Sequence, residues 1–110
     1  MGRYAYFSTG FEYKFVFGVQ PSTDIALYGK EFEDEEGEPC HEWTETDIPL
    51  LKEHLSSYTV DWDLYPKTAE GTDKLLWALR KENLPNDAVL GLIIYHQLLY
   101  CCPLSVEYEL

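Results

Sequence analysis

The stretch RYAYFSTGFEYKFVFGV, residues 3–19, decides the fold class of this chain. Its second half repeats an apolar residue at every second position, which is the period of a β-strand. These residues are Phe11, Tyr13, Phe15, Phe17 and Val19. A shorter aromatic run, RYAYF, precedes them, and the segment STG separates the two runs. Two aromatic runs joined by a short loop that contains glycine predict a β-hairpin.

The residues that follow the hairpin give a weaker pattern. Residues 24–28, DIALY, are apolar and few, and they fit either a third strand or one helical turn. Residues 30–45 contain a run of acids without apolar periodicity, so they predict a long acidic loop. Long loops in compact domains are usually functional or disordered.

The second half of the chain predicts three helices. The first, over about 47–57, has an apolar stripe at helical spacing. The second begins at Thr72 as its cap and extends to about residue 83, and the third covers about 87–100. The third helix is apolar nearly all round, which is typical of a helix buried centrally or placed in an interface.

Two short segments alternate between apolar and polar residues. Residues 60–64 predict a short strand, and the C-terminal tail, SVEYEL, predicts an edge strand with one wet face. Together the patterns predict one compact α+β domain over residues 1–110. In it an N-terminal antiparallel hairpin, which these segments can extend, packs against about three helices, and the acidic loop projects.

The charge of the chain is concentrated in one segment. The net charge is −12, and residues 31–47 alone carry nine acids and no base. A field of this sign repels phosphate backbones and anionic lipid. We therefore expect no direct binding of nucleic acid and no membrane association, and we expect basic partners or cations to be favoured.

The cysteines and the hydropathy favour a soluble intracellular protein, in the cytoplasm or nucleus. Cys40, Cys101 and Cys102 are too few and too badly spaced for a disulfide framework, so a reducing compartment is the simpler interpretation. We find no secretory signal pattern. The most apolar stretch, residues 88–95, is far too short to span a bilayer.

Metal binding has four candidate ligands, Cys40, His41, His54 and His96. Zinc sites are usually built from local pairs with a gap of two to four residues, and Cys40 and His41 are adjacent instead. The acidic run does not fit a calcium-binding EF-hand either, because no register places Asp first, Gly37 sixth and Glu twelfth. The sequence thus predicts no cofactor, and it predicts a metal only if the fold brings the four residues together.

Catalysis has two weak candidates. Cys40 beside His41 offers a thiol and a base, but the surrounding acids would hold the thiol protonated. Asp61 and Asp63 would share one face of a strand and could hold a divalent cation. We find no phosphate-binding loop, dinucleotide turn or nucleophile elbow. The sequence leaves the question of an enzyme open and favours a protein that is not one.

The leading hypothesis is a small interaction protein that meets a basic partner through residues 31–47. The predicted contact residues are Glu31, Phe32, Glu33, Asp34, Glu35, Glu36, Glu38 and Trp43. The apolar helix over 88–100 adds the prediction of a homo-oligomer, unless that helix is buried inside the chain. Two alternatives remain: a DNA mimic that inhibits a nucleic-acid-binding protein, and a small metal-binding or hydrolytic protein.

Overall fold

A computed structural model of the chain describes residues 4–14, 29–33, 35–37, 39–84 and 86–109. Within these ranges the helices and strands confirm the predicted α+β class. In chain order they are β1 (Tyr4–Phe7), β2 (Glu12–Lys14), β3 (Lys30–Glu33), β4 (Pro39–Trp43), α1 (Asp47–His54), a 3₁₀ helix (Trp62–Leu64), α2 (Ala69–Arg80), α3 (Asn86–Leu98) and β5 (Leu104–Glu109).

The strands form one sheet in the order β2-β1-β5-β4-β3, with every neighbouring pair antiparallel. The predicted N-terminal hairpin is confirmed for residues 4–14. Its turn closes through two backbone hydrogen bonds of 2.9 Å, from Phe7 N to Phe11 O and from Gly10 N to Phe7 O. The remainder of the predicted second strand and residues 24–28 lie outside the described residues.

The prediction of a long acidic loop over residues 30–45 is wrong, since most of this segment is the β3–β4 hairpin. The acids obscured a strand pattern, because His41 and Trp43 are buried while Glu42 between them and Thr44 after them are more exposed. β4 also pairs with β5, about sixty residues further along the chain. Pairing with a distant strand stabilises β4 in a way that the local composition does not reveal.

The two alternating segments also differ from their predictions. β5 is the central strand of the sheet and not an edge, because β1 and β4 pair on its two sides. Residues 62–64 form a 3₁₀ helix and not a strand. Its cap is Asp61, whose carboxylate accepts a hydrogen bond of 3.2 Å from Asp63 N, so these two aspartates close a turn.

The helices match the prediction except at the start of α2. The Oγ1 atom of Thr68 accepts a hydrogen bond of 3.1 Å from Gly71 N, so the cap is Thr68. It lies four residues before the predicted cap, Thr72, which is buried within the helix. The chain needs glycine at position 71, because a Cβ there would lie 1.7 Å from the carbonyl oxygen of Pro66.

The core lies against one face of the sheet. α3 packs against α1 and α2, and its apolar side chains share one cluster with Phe7, Trp43, Leu104 and Val106 of the strands. Residues 88–98 of α3 are all buried. Burial inside the chain therefore explains the apolar circumference of this helix, and the homo-oligomer through residues 88–100 stays a prediction. Among the described residues, no helix combines the length and apolar character needed to cross a bilayer.

Candidate functional site

The predicted contact surface lies on the acidic hairpin, by which we mean residues 30–43. Lys30 pairs with Glu42, Phe32 with Cys40, and Glu33 with Pro39 across its two strands. Gly37 adopts a φ of +80° in the turn, a conformation that favours glycine. The acids that the sequence assigned to a loop are therefore partly carried by ordered strands.

Three acids of this hairpin face solvent. Glu33, Glu35 and Glu36 are exposed, and Phe32, on the face of β3 opposite to Glu33, is 41% exposed. Glu31 occupies β3, between Lys30 and Phe32. Asp34 and Glu38, the other two predicted contact acids, lie outside the described residues. The exposed part of the hairpin thus combines carboxylates with one large apolar side chain.

Trp43 is placed differently from the prediction. Its side chain is 0% exposed and stacks on the ring of His41, with the ring centroids 4.4 Å apart. A fully buried side chain cannot anchor a partner, so Trp43 belongs to the core of the chain and not to its contact surface. The buried Trp43 ring also requires glycine at position 29, because a Cβ there would lie 2.6 Å from the ring.

One carboxylate connects the two ends of the acidic hairpin. Asp47, the first residue of α1, accepts a hydrogen bond of 2.8 Å from Thr44 N and one of 3.2 Å from Gly29 N. Thr44 follows β4, and Gly29 precedes β3. The carboxylate therefore holds the start and the end of the hairpin against the beginning of α1.

The strand register places Glu12 and Glu107 on the same face of the sheet as Phe32, whereas Glu33, the next residue of β3, belongs to the other face. Glu12, Tyr6, Glu107, Cys40 and Phe32 form one row across the sheet, from β2 to β3. This row lies on the face opposite to the core, because directly paired residues share a face and the core residues alternate with them. The sequence alone does not reveal this row, since residues 12 and 107 come into line with Phe32 only through the strand order.

The four metal candidates do not converge. Cys40 and His41 are both buried, but as successive residues of β4 they belong to opposite faces of the sheet. His54 is exposed at the end of α1, and His96 is buried in α3. In the part of the chain that the structure describes, no group of three or more His, Cys, Asp or Glu side chains is arranged to hold a metal ion. The same separation of Cys40 from His41 argues against a catalytic pair.

A buried polar cluster joins α2 to α3, and the sequence did not reveal it. Thr72 Oγ1 lies 2.8 Å from His96 Nδ1 and 3.1 Å from the hydroxyl of Tyr100, and His96 Nε2 lies 3.4 Å from the carbonyl oxygen of Tyr65. Desolvation by burial lowers the pKa of His96, and the positive charge of Lys67 acts in the same direction. The neutral tautomer that fits donates from Nε2 to Tyr65 and accepts from Thr72 at Nδ1.

A hydroxyl and an imidazole at this distance also resemble a nucleophile and its base. Both side chains are buried, however, with Thr72 0% and His96 1% exposed. The Trp62 ring is stacked with the imidazole, with the centroids 6.2 Å apart. A substrate therefore has no access to the pair in this conformation, and the cluster serves to hold the two helices together.

An open groove of about 490 Å³ separates the β1–β2 turn from α2. Phe11 lies on its apolar side, while Glu12, Glu70, Asp73 and Lys74 supply its charges. Among the described residues, no cysteine, histidine or serine lines this groove. Its side chains suit weak contacts with a cation better than covalent or acid–base chemistry.

Comparison with known proteins gives no relative: no protein-family model matches the chain, and no curated protein or solved structure matches it at a significant level.

Proposed function

We propose that the chain is a non-enzymatic interaction protein whose acidic hairpin binds a basic surface on a partner protein. One observation carries the proposal: the exposed carboxylates of Glu33, Glu35 and Glu36 and the exposed ring of Phe32 occupy one ordered hairpin.

The combination supports binding in two ways. Charges of one sign accelerate association with a partner of the opposite sign and select against wrong partners. A large apolar side chain within the charged surface provides the desolvated contact that carries most of the affinity of an interface. In this hairpin Phe32 supplies that contact, on the face of the sheet where the strand register also places Glu107 and Glu12.

The hairpin is also held in place before a partner arrives. Its strands pair with each other, β4 pairs with β5, and Asp47 connects its two ends. A preorganised surface loses less conformational entropy on binding than a disordered loop does. This favours a specific contact over a merely solvated acidic segment.

Isothermal titration calorimetry with a lysine-rich peptide tests the proposal. The triple variant Glu33→Gln, Glu35→Gln and Glu36→Gln removes three charges from the hairpin. We expect it to weaken binding by about tenfold to a hundredfold at low salt, since each exposed pair contributes about 0.5–1 kcal/mol.

The matched control removes three exposed acids elsewhere, through Glu53→Gln, Asp63→Asn and Glu82→Gln. It produces the same net charge, and we expect it to weaken binding less than about threefold because long-range charges are screened. Equal losses in the two triple variants would mean that the peptide senses only the net charge of the chain, and the proposal would then be wrong.

Mimicry of nucleic acid is a second candidate, since such mimicry requires acids fixed on ordered elements, and Glu33 and Glu107 lie on strands. Asp61 and Asp63 add nothing to a strand-borne ridge, because they lie at a 3₁₀ turn. The two candidate functions predict different effects of the substitution Phe32→Ala. Phe32→Ala weakens an interface with a protein, whereas it leaves a purely charge-based mimic equally able to displace duplex DNA from a DNA-binding domain.

A further inference from the structure

β3 is the last strand on its side of the sheet among the described residues. In an antiparallel sheet, successive residues direct their backbone N–H and C=O groups to opposite sides of the strand. An edge strand therefore presents the peptide groups of every second residue to whatever lies beside it.

Two observations show which residues of β3 direct their backbone N–H and C=O groups away from the sheet. Glu33 pairs with Pro39, and proline has no N–H, so this pair cannot exchange two hydrogen bonds. Ser8 N donates to Ser105 O at 2.8 Å, so the peptide groups of Ser105 turn towards β1. Glu42, the partner of Ser105 in β4, must then turn its own peptide groups towards β3.

Both observations give the same alternation of inward and outward peptide groups along β3. Lys30 and Phe32 direct their peptide groups towards β4, and Glu31 and Glu33 direct theirs away from it. The outward donors and acceptors of the edge thus belong to two acidic residues, and the apolar Phe32 lies between them.

We propose that β3 accepts an extended, basic segment of the partner as an added strand, paired with the backbones of Glu31 and Glu33. This inference rests on the proposed function and names how the acidic hairpin would bind. A basic strand would place Lys or Arg beside the acids of β3, and opposite charges on neighbouring strands are stabilising.

A second copy of the chain is a poor occupant for the same edge. Antiparallel pairing of two β3 strands would bring Glu31 and Glu33 of one copy beside the same acids of the other. Like charges directly opposite each other destabilise a strand pair. The acids therefore protect the edge against self-association while they leave it complementary to a basic chain.

The test uses two synthetic peptides of equal charge, with lysine at alternate positions and valine or threonine between. The second peptide is N-methylated at two successive central residues, which removes a donor from each of its edges. We expect the methylated peptide to bind the wild-type protein at least tenfold more weakly. We also expect the unmethylated peptide to slow amide hydrogen exchange at Glu31 and Glu33, and to change it less at Phe32, which β4 already engages.

Two variants at position 33 distinguish the effect of the backbone N–H on binding from the effect of the side-chain charge. Glu33→Gln removes the charge, and Glu33→Pro removes the charge together with the outward N–H, which β4 does not use. We expect Glu33→Pro to weaken binding about threefold to tenfold beyond Glu33→Gln, which corresponds to one net hydrogen bond. The peptide comparison on the wild-type protein still tests the proposal if Glu33→Pro does not fold.

The outcomes distinguish the two proposals. Equal binding of the two peptides, with no difference between the two variants, would overturn strand addition and leave the acidic hairpin as a surface recognised through side chains. Failure of both peptides to bind would overturn the proposed function as well. Dimerisation of the wild-type protein that Glu33→Pro abolishes would show that a second copy occupies the edge, and strand addition by a partner would be wrong.

Discussion

The Oγ1 atom of Thr72 lies 2.8 Å from the Nδ1 atom of His96, and this contact joins α2 to α3 inside the core. Tyr100 adds its hydroxyl 3.1 Å from the same Oγ1 atom. With His96 neutral, the contacts of Thr72 with His96 and Tyr100 are hydrogen bonds between neutral groups.

Replacement of Thr72 tests this cluster. Thr72→Val keeps the shape of the side chain and leaves Nδ1 of a buried imidazole without its donor, so we expect a loss of about 1–3 kcal/mol in the free energy of unfolding. Thr72→Ser keeps the hydroxyl and should lose less. Urea unfolding of the three proteins at pH 7.5 measures the difference, and a Val variant as stable as the wild type would contradict the role given to the hydroxyl.

The stability of the chain should also depend on the protonation of His96. Burial lowers the pKa of the folded imidazole below its ordinary value of 6.5, so the unfolded chain binds the proton more readily than the folded one. The stabilisation is therefore complete above about pH 6.5 and is lost as the pH falls from that value through the lowered pKa of the folded state.

Unfolding free energies measured between pH 7.5 and pH 5 check this prediction. We expect the wild type to lose stability over the range and a His96→Leu variant to lose less, because the variant has no imidazole to protonate. Carboxylates titrate in both proteins, so the difference between the two curves reports on His96. Parallel curves would show that the imidazole contributes nothing to the pH dependence.

Gly71 should tolerate no side chain. A Cβ at this position would lie 1.7 Å from the Pro66 carbonyl oxygen, which is a backbone atom and cannot turn away. We expect Gly71→Ala to destabilise the protein by about 2 kcal/mol or more, because overpacked sites force a shift of the backbone. The neighbouring exposed substitution Glu70→Ala should change stability by less than about 0.5 kcal/mol. Similar melting temperatures for the two variants would contradict the close approach.

The two aromatic residues of the acidic hairpin should behave oppositely. Trp43→Ala removes a fully buried ring and should cost about 3–5 kcal/mol of stability. Phe32→Ala removes a ring that is already 41% exposed, so it should change stability little and weaken capture of a basic peptide. Thermal unfolding and peptide titration of both variants test these two roles. A Phe32→Ala variant that is less stable than Trp43→Ala would contradict them.

The sequence predicted the helices and strands whose pattern is formed by residues close together in the chain. The alternation before and after the STG turn predicted the N-terminal hairpin, and the stripes around Leu51 and Leu75 predicted two helices. The apolar circumference of the third helix correctly indicated burial as one of its two explanations. Each of these signals comes from residues close together in the chain.

The errors lie where distant residues decide the structure. β4 is a strand because β5 pairs with it, and β5 is central because β1 lies on its other side. Trp43 looked like a surface anchor because acids surround it in sequence, yet strand alternation turns its ring into the core. The cluster of Thr72, His96 and Tyr100 is likewise formed by the packing of two helices, which no spacing rule along the chain reports.

The most direct test of the account is a map of the amide chemical shifts of the uniformly ¹⁵N-labelled protein during titration with the lysine-rich peptide. We expect the largest shifts at Lys30–Glu33, at the residues of β4 and at Glu107, and we expect α1 and α2 to remain nearly unchanged. Shifts centred on α1, α2 or the groove beside Glu70 and Asp73 would contradict the claim that the acidic hairpin is the binding surface.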